Sequence, residues 1–277
     1  MGTTSTIRWT QATWNNVFGC DFYSVACQHC YAAGITARYA NIKGNWAEGL
    51  AYFDDEGNAQ WTGKLNLRWD KMNVPKSWKS PKLIFCNSMG DIFHKDVPDE
   101  FILETFRVML DTPRHTYQVL TKRSRRLVEF CAQYFPDGLP TNIWLGVSVG
   151  HQPDVEKALD LVKVNAPVRW LSLEPLVGPV VLPKAVLDGL NWAVCGGESG
   201  AHARRMDYDW ARALRDQCKT NGRNIPFFYK QGGMFDENGI RHQGKHFDGF
   251  EYLDGVAWQE YPTANPKAIT GDATVRS

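Results

Sequence analysis

The 277-residue sequence predicts a parallel α/β fold of seven strands, and two observations predict it. Short apolar segments recur along the chain, each followed by polar punctuation and then a helix-like stretch. Several of these segments are apolar on nearly every residue, which suits parallel strands buried on both faces. Seven strands leave two architectures open: a doubly wound open sheet, or an incomplete barrel related to the eight-stranded one. No internal repeat is visible.

The strands follow in order: Thr13 to Val17, Lys82 to Asn87, Tyr117 to Thr121, Asn142 to Ser148, Val168 to Leu173, Asn191 to Cys195 and Pro226 to Lys230. They are rich in Val, Ile, Phe, Trp and Leu. Helical spacing of apolar residues marks Asp99 to Leu110, Ser124 to Tyr134, Pro153 to Val164 and Tyr208 to Thr220, with Asp207 placed to cap the last. Residues 41–81 break this rhythm with five Trp or Tyr and turn-forming pairs, and read as an insertion carrying a short hairpin. Residues 262–277 have no periodicity and read as a loose tail, leaving 1–261 as a single domain.

Charge narrows the function classes. Thirty-one basic side chains balance thirty acidic ones, which excludes a polycationic nucleic-acid tail and an acidic disordered protein. No apolar run approaches the length of about 18 residues that crosses a bilayer, and no signal peptide opens the sequence. A soluble cytoplasmic protein is expected. Met1 to Thr6 fits the loose N-myristoylation pattern, which short sequences match by chance, so a flexible leader is expected there. The seven cysteines are an odd number, which points to thiols kept reduced and not to a disulfide framework.

Three of those cysteines lie within eleven residues, as Cys20-x6-Cys27-x2-Cys30, just after the first strand. Thiolates are soft donors that suit iron–sulfur clusters or zinc. Three of them on a cubane leave one iron open to a small molecule, whereas a closed zinc site needs a fourth donor. His29 is the nearby choice, but bending back between two ligands is awkward. A zinc knuckle and a chance group of structural cysteines both remain as readings. The iron–sulfur reading accounts best for so tight a cluster.

Eight ordered blocks of sequence carry a resemblance. Ala12-Thr13-Trp14-Asn15 stands with Gly19-Cys20, followed by Cys27-Gln28-His29-Cys30-Tyr31-Ala32. Asn87-Ser88-Met89-Gly90-Asp91 stands with Phe93-His94, followed by Gln118-Val119-Leu120-Thr121-Lys122-Arg123. Then come Trp144-Leu145-Gly146-Val147-Ser148, Leu171-Ser172-Leu173-Glu174-Pro175, Gly196-Gly197-Glu198-Ser199-Gly200 and Phe228-Tyr229-Lys230-Gln231. With these, the chain resembles the radical S-adenosylmethionine superfamily, and more closely a phage-associated family within it of unassigned activity. The cysteine spacing departs from the superfamily's usual Cys-x3-Cys-x2-Cys, and His29 stands where an aromatic residue near the adenine is common.

The resemblance implies a partial barrel of six or seven strands, a 4Fe-4S cluster on Cys20, Cys27 and Cys30, and S-adenosylmethionine on its open iron. It implies reductive cleavage to a 5′-deoxyadenosyl radical, with flavodoxin or ferredoxin as electron donor. A modified DNA base or nucleotide is the substrate it suggests. Working residues of such barrels project from the C-terminal strand ends. Asn87, Ser88 and Asp91 would hold the cofactor's ammonium and carboxylate, Ser148 a ribose hydroxyl, and Glu174 would join them. The alternative for the serines and Asp91 is a turn former or helix cap.

Glu198 is expected to point into the pocket from a glycine-rich loop that lacks the Lys-Ser/Thr of a nucleotide loop. His94, Lys122 and Lys230, with Arg123, would ring the mouth toward an anionic or polar substrate. From Thr112 to Val128 there are five Lys or Arg and no acid, either a solvated helix start or a phosphate-facing patch. The competing class is a zinc-binding interaction module without catalysis. A hydrolase lacks a nucleophile–base pair.

Overall fold

The computed structural model describes residues 5–242 and 251–263. In chain order the first half carries β1 (Ala12–Thr13), β2 (Val17–Phe18), α1 (Tyr31–Tyr39), β3 (Ala51–Phe53), β4 (Ala59–Trp61), β5 (Asn66–Leu67), α2 (Val74–Ser77), β6 (Leu83–Cys86) and α3 (Asp99–Asp111). The second carries β7 (Thr116–Thr121), α4 (Ser124–Tyr134), β8 (Ile143–Ser148), α5 (Val155–Leu161), β9 (Val168–Leu173), α6 (Lys184–Gly189), β10 (Trp192–Gly196), α7 (Tyr208–Thr220) and β11 (Phe227–Gln231). Seven strands form one sheet in the order β1-β6-β7-β8-β9-β10-β11, every pair parallel. This is the predicted α/β sheet, and it curls into a partial barrel.

Period-two alternation separates its faces. Ile143, Leu145 and Val147 of β8 and Leu171 and Leu173 of β9 join the large apolar core beneath the helices. Trp144, Val168, Trp170, Trp192, Val194, Phe85 and Phe228 form a second core on the concave face. Gly146 makes room there, since a Cβ on it would lie 2.3 Å from the Trp170 ring. Trp9, just before β1, shows the curl directly. Its ring lies 5.2 Å from Trp170 on β9 and 6.1 Å from Trp192 on β10, strands well across the sheet. The aromatic rings thus floor the barrel, and one step further along the same face stand Ser148 and Ser172, paired across β8 and β9. The inner face turns polar at its C-terminal edge.

Five elements depart from the sequence expectation. The first strand is broken: β1 stays in the main sheet, while β2 turns away to pair antiparallel with β5. The intervening asparagines cause the break. Asn16 N–H donates to Asn87 Oδ1 (2.9 Å) and its amide to Thr105 Oγ1 (2.8 Å), while Asn15 binds Ser88, so the backbone leaves the ladder. The helix expected over Pro153 to Val164 is a 3-10 turn at Gln152–Asp154 followed by α5, which ends at Leu161 and tightens into turn bonds from Lys163 N–H to the Asp160 carbonyl (3.1 Å) and Val164 N–H to the Leu161 carbonyl (3.0 Å). Helices α1, α2 and α6 had no expectation; α1 buries only Ala32, Ala33, Thr36 and Ala37, a face too small to stand out as periodic.

Two expectations held in detail. Residues 41–81 do contain a hairpin, β3 against β4. Asp207 does cap α7, its side chain accepting from Asp209 N–H. The start of the leader (1–4) and most of the expected tail (264–277) lie outside the described residues. Among the described residues no helix is long and apolar enough to cross a membrane.

Candidate active site

A cavity opens at the C-terminal edge of the sheet, where ligand sites of parallel α/β folds gather. Cys20, Cys27 and Cys30 line it together with Asn87, Ser88, Asp91, Lys122, Ser148, Glu174, Glu198 and Lys230. Every residue expected at the site therefore reaches one cavity, except His94. All three cysteines are free thiols of intermediate exposure.

Local structure places each cysteine. Gly19 holds φ +93°, and a Cβ on it would lie 2.2 Å from the Lys64 carbonyl oxygen, so only glycine delivers the chain into Cys20. Its N–H donates to the Met89 carbonyl (3.1 Å), tying the cysteine loop to the segment after β6. Cys27 ends the short 3-10 turn from Val25, and Cys30 is the N-cap of α1.

Two arginines clamp this loop. Arg123, at the end of β7, pairs with Asp21 and with Asp91 (2.8 Å), and both its terminal nitrogens lie 3.7 Å from Cys20 Sγ. Its guanidinium also lies over the Tyr23 ring. Arg204 grips the other side, donating to the Val25 carbonyl (3.1 Å) and Gln28 Oε1 (3.3 Å) while pairing with Glu198 (2.7 Å).

The side chains expected to contact a cofactor are mostly occupied by protein partners. Asp91 Oδ1 accepts from Thr121 Oγ1 (2.7 Å) and Phe93 N–H (2.9 Å), and Oδ2 from Lys122 N–H (3.0 Å) and Arg123 Nη1 (2.8 Å). Burial alone would raise its pKa; Arg123 and these donors outweigh burial and hold the carboxyl below its ordinary value. Its lone pairs are spent within the fold. Ser88 is locked to Asn15 through its N–H (2.7 Å) and hydroxyl (3.1 Å). Glu174 pairs with Lys230 at 2.5 Å.

Asn87 differs. Its Oδ1 holds Asn16 N–H, while its Nδ2 is buried without a partner. An unpaired buried donor asks for an acceptor, so it suits a ligand carboxylate and not an ammonium group. Ser148 Oγ accepts from Lys122 Nζ (3.4 Å). Burial disfavours the charged form of Lys122, yet Cys27, Cys30, Cys20 and Asp91 around it hold its pKa above the ordinary value.

His94 does not reach the mouth. It is fully buried behind the cysteine loop, with Nε2 3.2 Å from Asp21 Oδ2 and Nδ1 accepting from Asp96 N–H (3.2 Å). In the loop after β10, Gly197 serves packing, since a Cβ on it would lie 2.4 Å from the Gly232 carbonyl oxygen. Arg204 and Ser172 were not anticipated. Ser172 was legible from alternation, two residues beyond Trp170; Arg204 sits in a loop without local pattern.

Burial pushes the Cys20 thiol up to about 12, with Arg123 offsetting part, and raises Cys30 as well. Ligating metal would therefore expel protons from these sulfurs. Among the described residues no three Cys, His, Asp or Glu side chains converge as ligands of one ion. His29, the candidate fourth donor, lies against the His202 ring at 6.0 Å. Three free thiols thus stand at one cavity.

Fold and cavity together define a partial α/β barrel with a cysteine-lined site at its C-terminal strand edge. Residues 4–262 match the family described as a protein of unknown function, DUF5131, and the chain belongs to that family. No curated protein matches it. Among solved structures it is similar to one described as spore photoproduct lyase complexed with dinucleoside spore photoproduct, at 8% identity and a TM-score of 0.40. That match covers 77% of this chain, and the chain spans about 62% of the length of the other.

Proposed function

We propose that the protein is a radical S-adenosylmethionine enzyme, with a 4Fe-4S cluster on Cys20, Cys27 and Cys30. The observation that carries this reading is the meeting, in one cavity, of three thiols with the unpartnered donor of Asn87. When bound, the cluster and S-adenosylmethionine supply one-electron cleavage of a sulfonium to methionine and a 5′-deoxyadenosyl radical.

The chain's own residues bind, orient and shield. Asn87 Nδ2, buried without a protein partner, would hold the methionine carboxylate. Lys122 places a cation among the sulfurs and balances their negative charge. Ser148 and Ser172 offer hydroxyls from the inner edge of the sheet to the ribose. Asp91 and Ser88, fully engaged within the protein, act as positioning residues for Arg123 and for the loop after β6. Glu174 with Lys230, and Glu198 with Arg204, form the substrate-side wall as two ion pairs. The aromatic floor below excludes water from the reacting groups.

The reductant is a small electron-transfer protein of the flavodoxin or ferredoxin class, and the substrate a modified DNA base or nucleotide. Anaerobic incubation of the reconstituted protein with S-adenosylmethionine and dithionite tests the reading. It should yield 5′-deoxyadenosine, and Cys20→Ala should abolish it. No product from protein holding its full complement of iron would overturn the assignment, as would colourless protein holding one zinc.

A further inference from the structure

Beside the cysteine-lined cavity runs a second groove, bordered by α1, the β3–β4 hairpin, residues 199–202 and the N-terminal residues 6–8. It is continuous with the first cavity: Ile7, His29, Cys30, Tyr31, Ser199 and Lys230 line both. Its wall carries Arg8, Arg38, Lys230, His29 and His202 and, among the described residues, no Asp or Glu. Lys230 is paired with Glu174 at 2.5 Å, and the turn between Phe53 and Gly57 carries Asp54, Asp55 and Glu56, so the positive charge that the wall offers outward centres on Arg38.

Arg38 and the rings of Tyr31 and Phe53 are presented outward. Arg38 is exposed on α1 and borders the groove, and no side-chain hydrogen bond or ion pair holds its guanidinium among the described residues. Arg8 is oriented by its bond from Nη1 to the Lys230 carbonyl (2.8 Å). Tyr31 is 46% exposed although its hydroxyl donates to the Ser88 carbonyl (3.0 Å), so the ring is fixed in place with a face open. Phe53, on the hairpin strand that packs on α1, is 48% exposed.

Open aromatic faces interleaved with guanidinium groups are what a single nucleic-acid strand uses: bases stack on the rings and phosphates follow the cations. A duplex, whose base faces are covered, cannot use the rings. We propose that this groove binds single-stranded nucleic acid, with Arg38 on a phosphate and Tyr31 and Phe53 under bases, and feeds one nucleotide past Lys230 into the cysteine-lined cavity. The nucleotide's fate rests on the radical reading above; binding of the strand does not.

Fluorescence anisotropy on the full chain, without added cofactor, tests this with one labelled 12-nucleotide sequence as single-stranded DNA, single-stranded RNA and DNA duplex. At least one single strand should bind, and more tightly than the duplex; the DNA and RNA arms identify the sugar. The log–log dependence of affinity on salt should lose about 0.7 of slope in Arg38→Ala, as expected for one phosphate contact on a single strand. Phe53→Ala should weaken binding about 5-fold or more, the loss of one stacked base. Lys184→Glu, an exposed charge on α6 away from the groove, should leave binding unchanged.

Absence of binding by both single strands at low salt overturns the proposal, as does equal binding of the duplex or an Arg38 variant indistinguishable from wild type. Loss of strand binding with 5′-deoxyadenosine still produced refutes the groove alone. Strand binding by fully iron-loaded protein that makes no 5′-deoxyadenosine refutes the radical reading alone.

Discussion

Replacing Asp91 with Asn changes almost nothing in shape and removes the charge at the centre of the site's framework. Four donors converge on that carboxylate at 2.7–3.0 Å, two on each oxygen. Whichever way the asparagine amide turns, its NH2 faces two donors. One charge-assisted bond to Arg123 is lost, about 1.5–3 kcal/mol, and the opposed donors add about 1–3 kcal/mol. The pair is well buried, at 9% and 8% side-chain exposure, where removal of one partner costs about 3–5 kcal/mol. Arg123 keeps Asp21, so the lower end of that range, about 3 kcal/mol, is expected. Urea unfolding at pH 7, followed by tryptophan fluorescence, measures it. Arg123→Gln should lose a similar amount, and the double variant should fall short of the sum by about 2 kcal/mol. A loss below about 1 kcal/mol in Asp91→Asn, or additivity within about 0.5 kcal/mol, would refute this account of the framework.

Three other predictions follow from the same geometry. Asp154 pairs with Lys157 at 2.5 Å with both side chains about a tenth exposed or less. Burial would raise the Asp154 pKa, but Lys157 and the Gly150 N–H outweigh it and hold it below its ordinary value. Its contribution is therefore complete above the unfolded value of about 3.9 and lost as pH falls through the lower folded value. Asp154→Asn should cost about 3 kcal/mol at pH 7, a gap that closes toward pH 3; a pH-independent gap in urea midpoints contradicts the pairing. Gly146→Ala drives a methyl into the buried Trp170 ring and should cost about 1–3 kcal/mol with a changed tryptophan spectrum, whereas an unaltered melting temperature would contradict the packed floor. Arg204→Gln strands the buried Glu198 and frees the cysteine loop from one clamp, so a reconstituted cluster should surrender iron to a chelator several-fold faster, and an unchanged rate would mean the clamp is idle.

The sequence made the sheet legible because its strands are continuous apolar runs, and made the site's location legible because function in such folds collects at C-terminal strand ends. Thus Ser148, Glu174, Lys122 and Lys230 are legible from their strand-end positions alone. What a side chain does there was less legible, because that depends on partners far along the chain. Asp91 reads as a cofactor contact until Thr121, Lys122 and Arg123 are seen to fill both oxygens. His94 reads as a mouth residue until Asp21 and Asp96 are seen around it. The break after β1 was hidden for the same reason, since Asn15 and Asn16 bind residues 73 and 89 positions away. Arg204 closes on Gln28 across 176 residues, a contact no local pattern announces.

The central claim is that three thiols carry a cluster with one iron left open. Electron paramagnetic resonance of the reduced, anaerobically reconstituted protein tests it most directly, recorded with and without S-adenosylmethionine. A cluster signal that changes when S-adenosylmethionine is added, and that disappears in each of Cys20→Ala, Cys27→Ala and Cys30→Ala, is the predicted result. A signal indifferent to S-adenosylmethionine, or one that survives loss of any of the three cysteines, would contradict it.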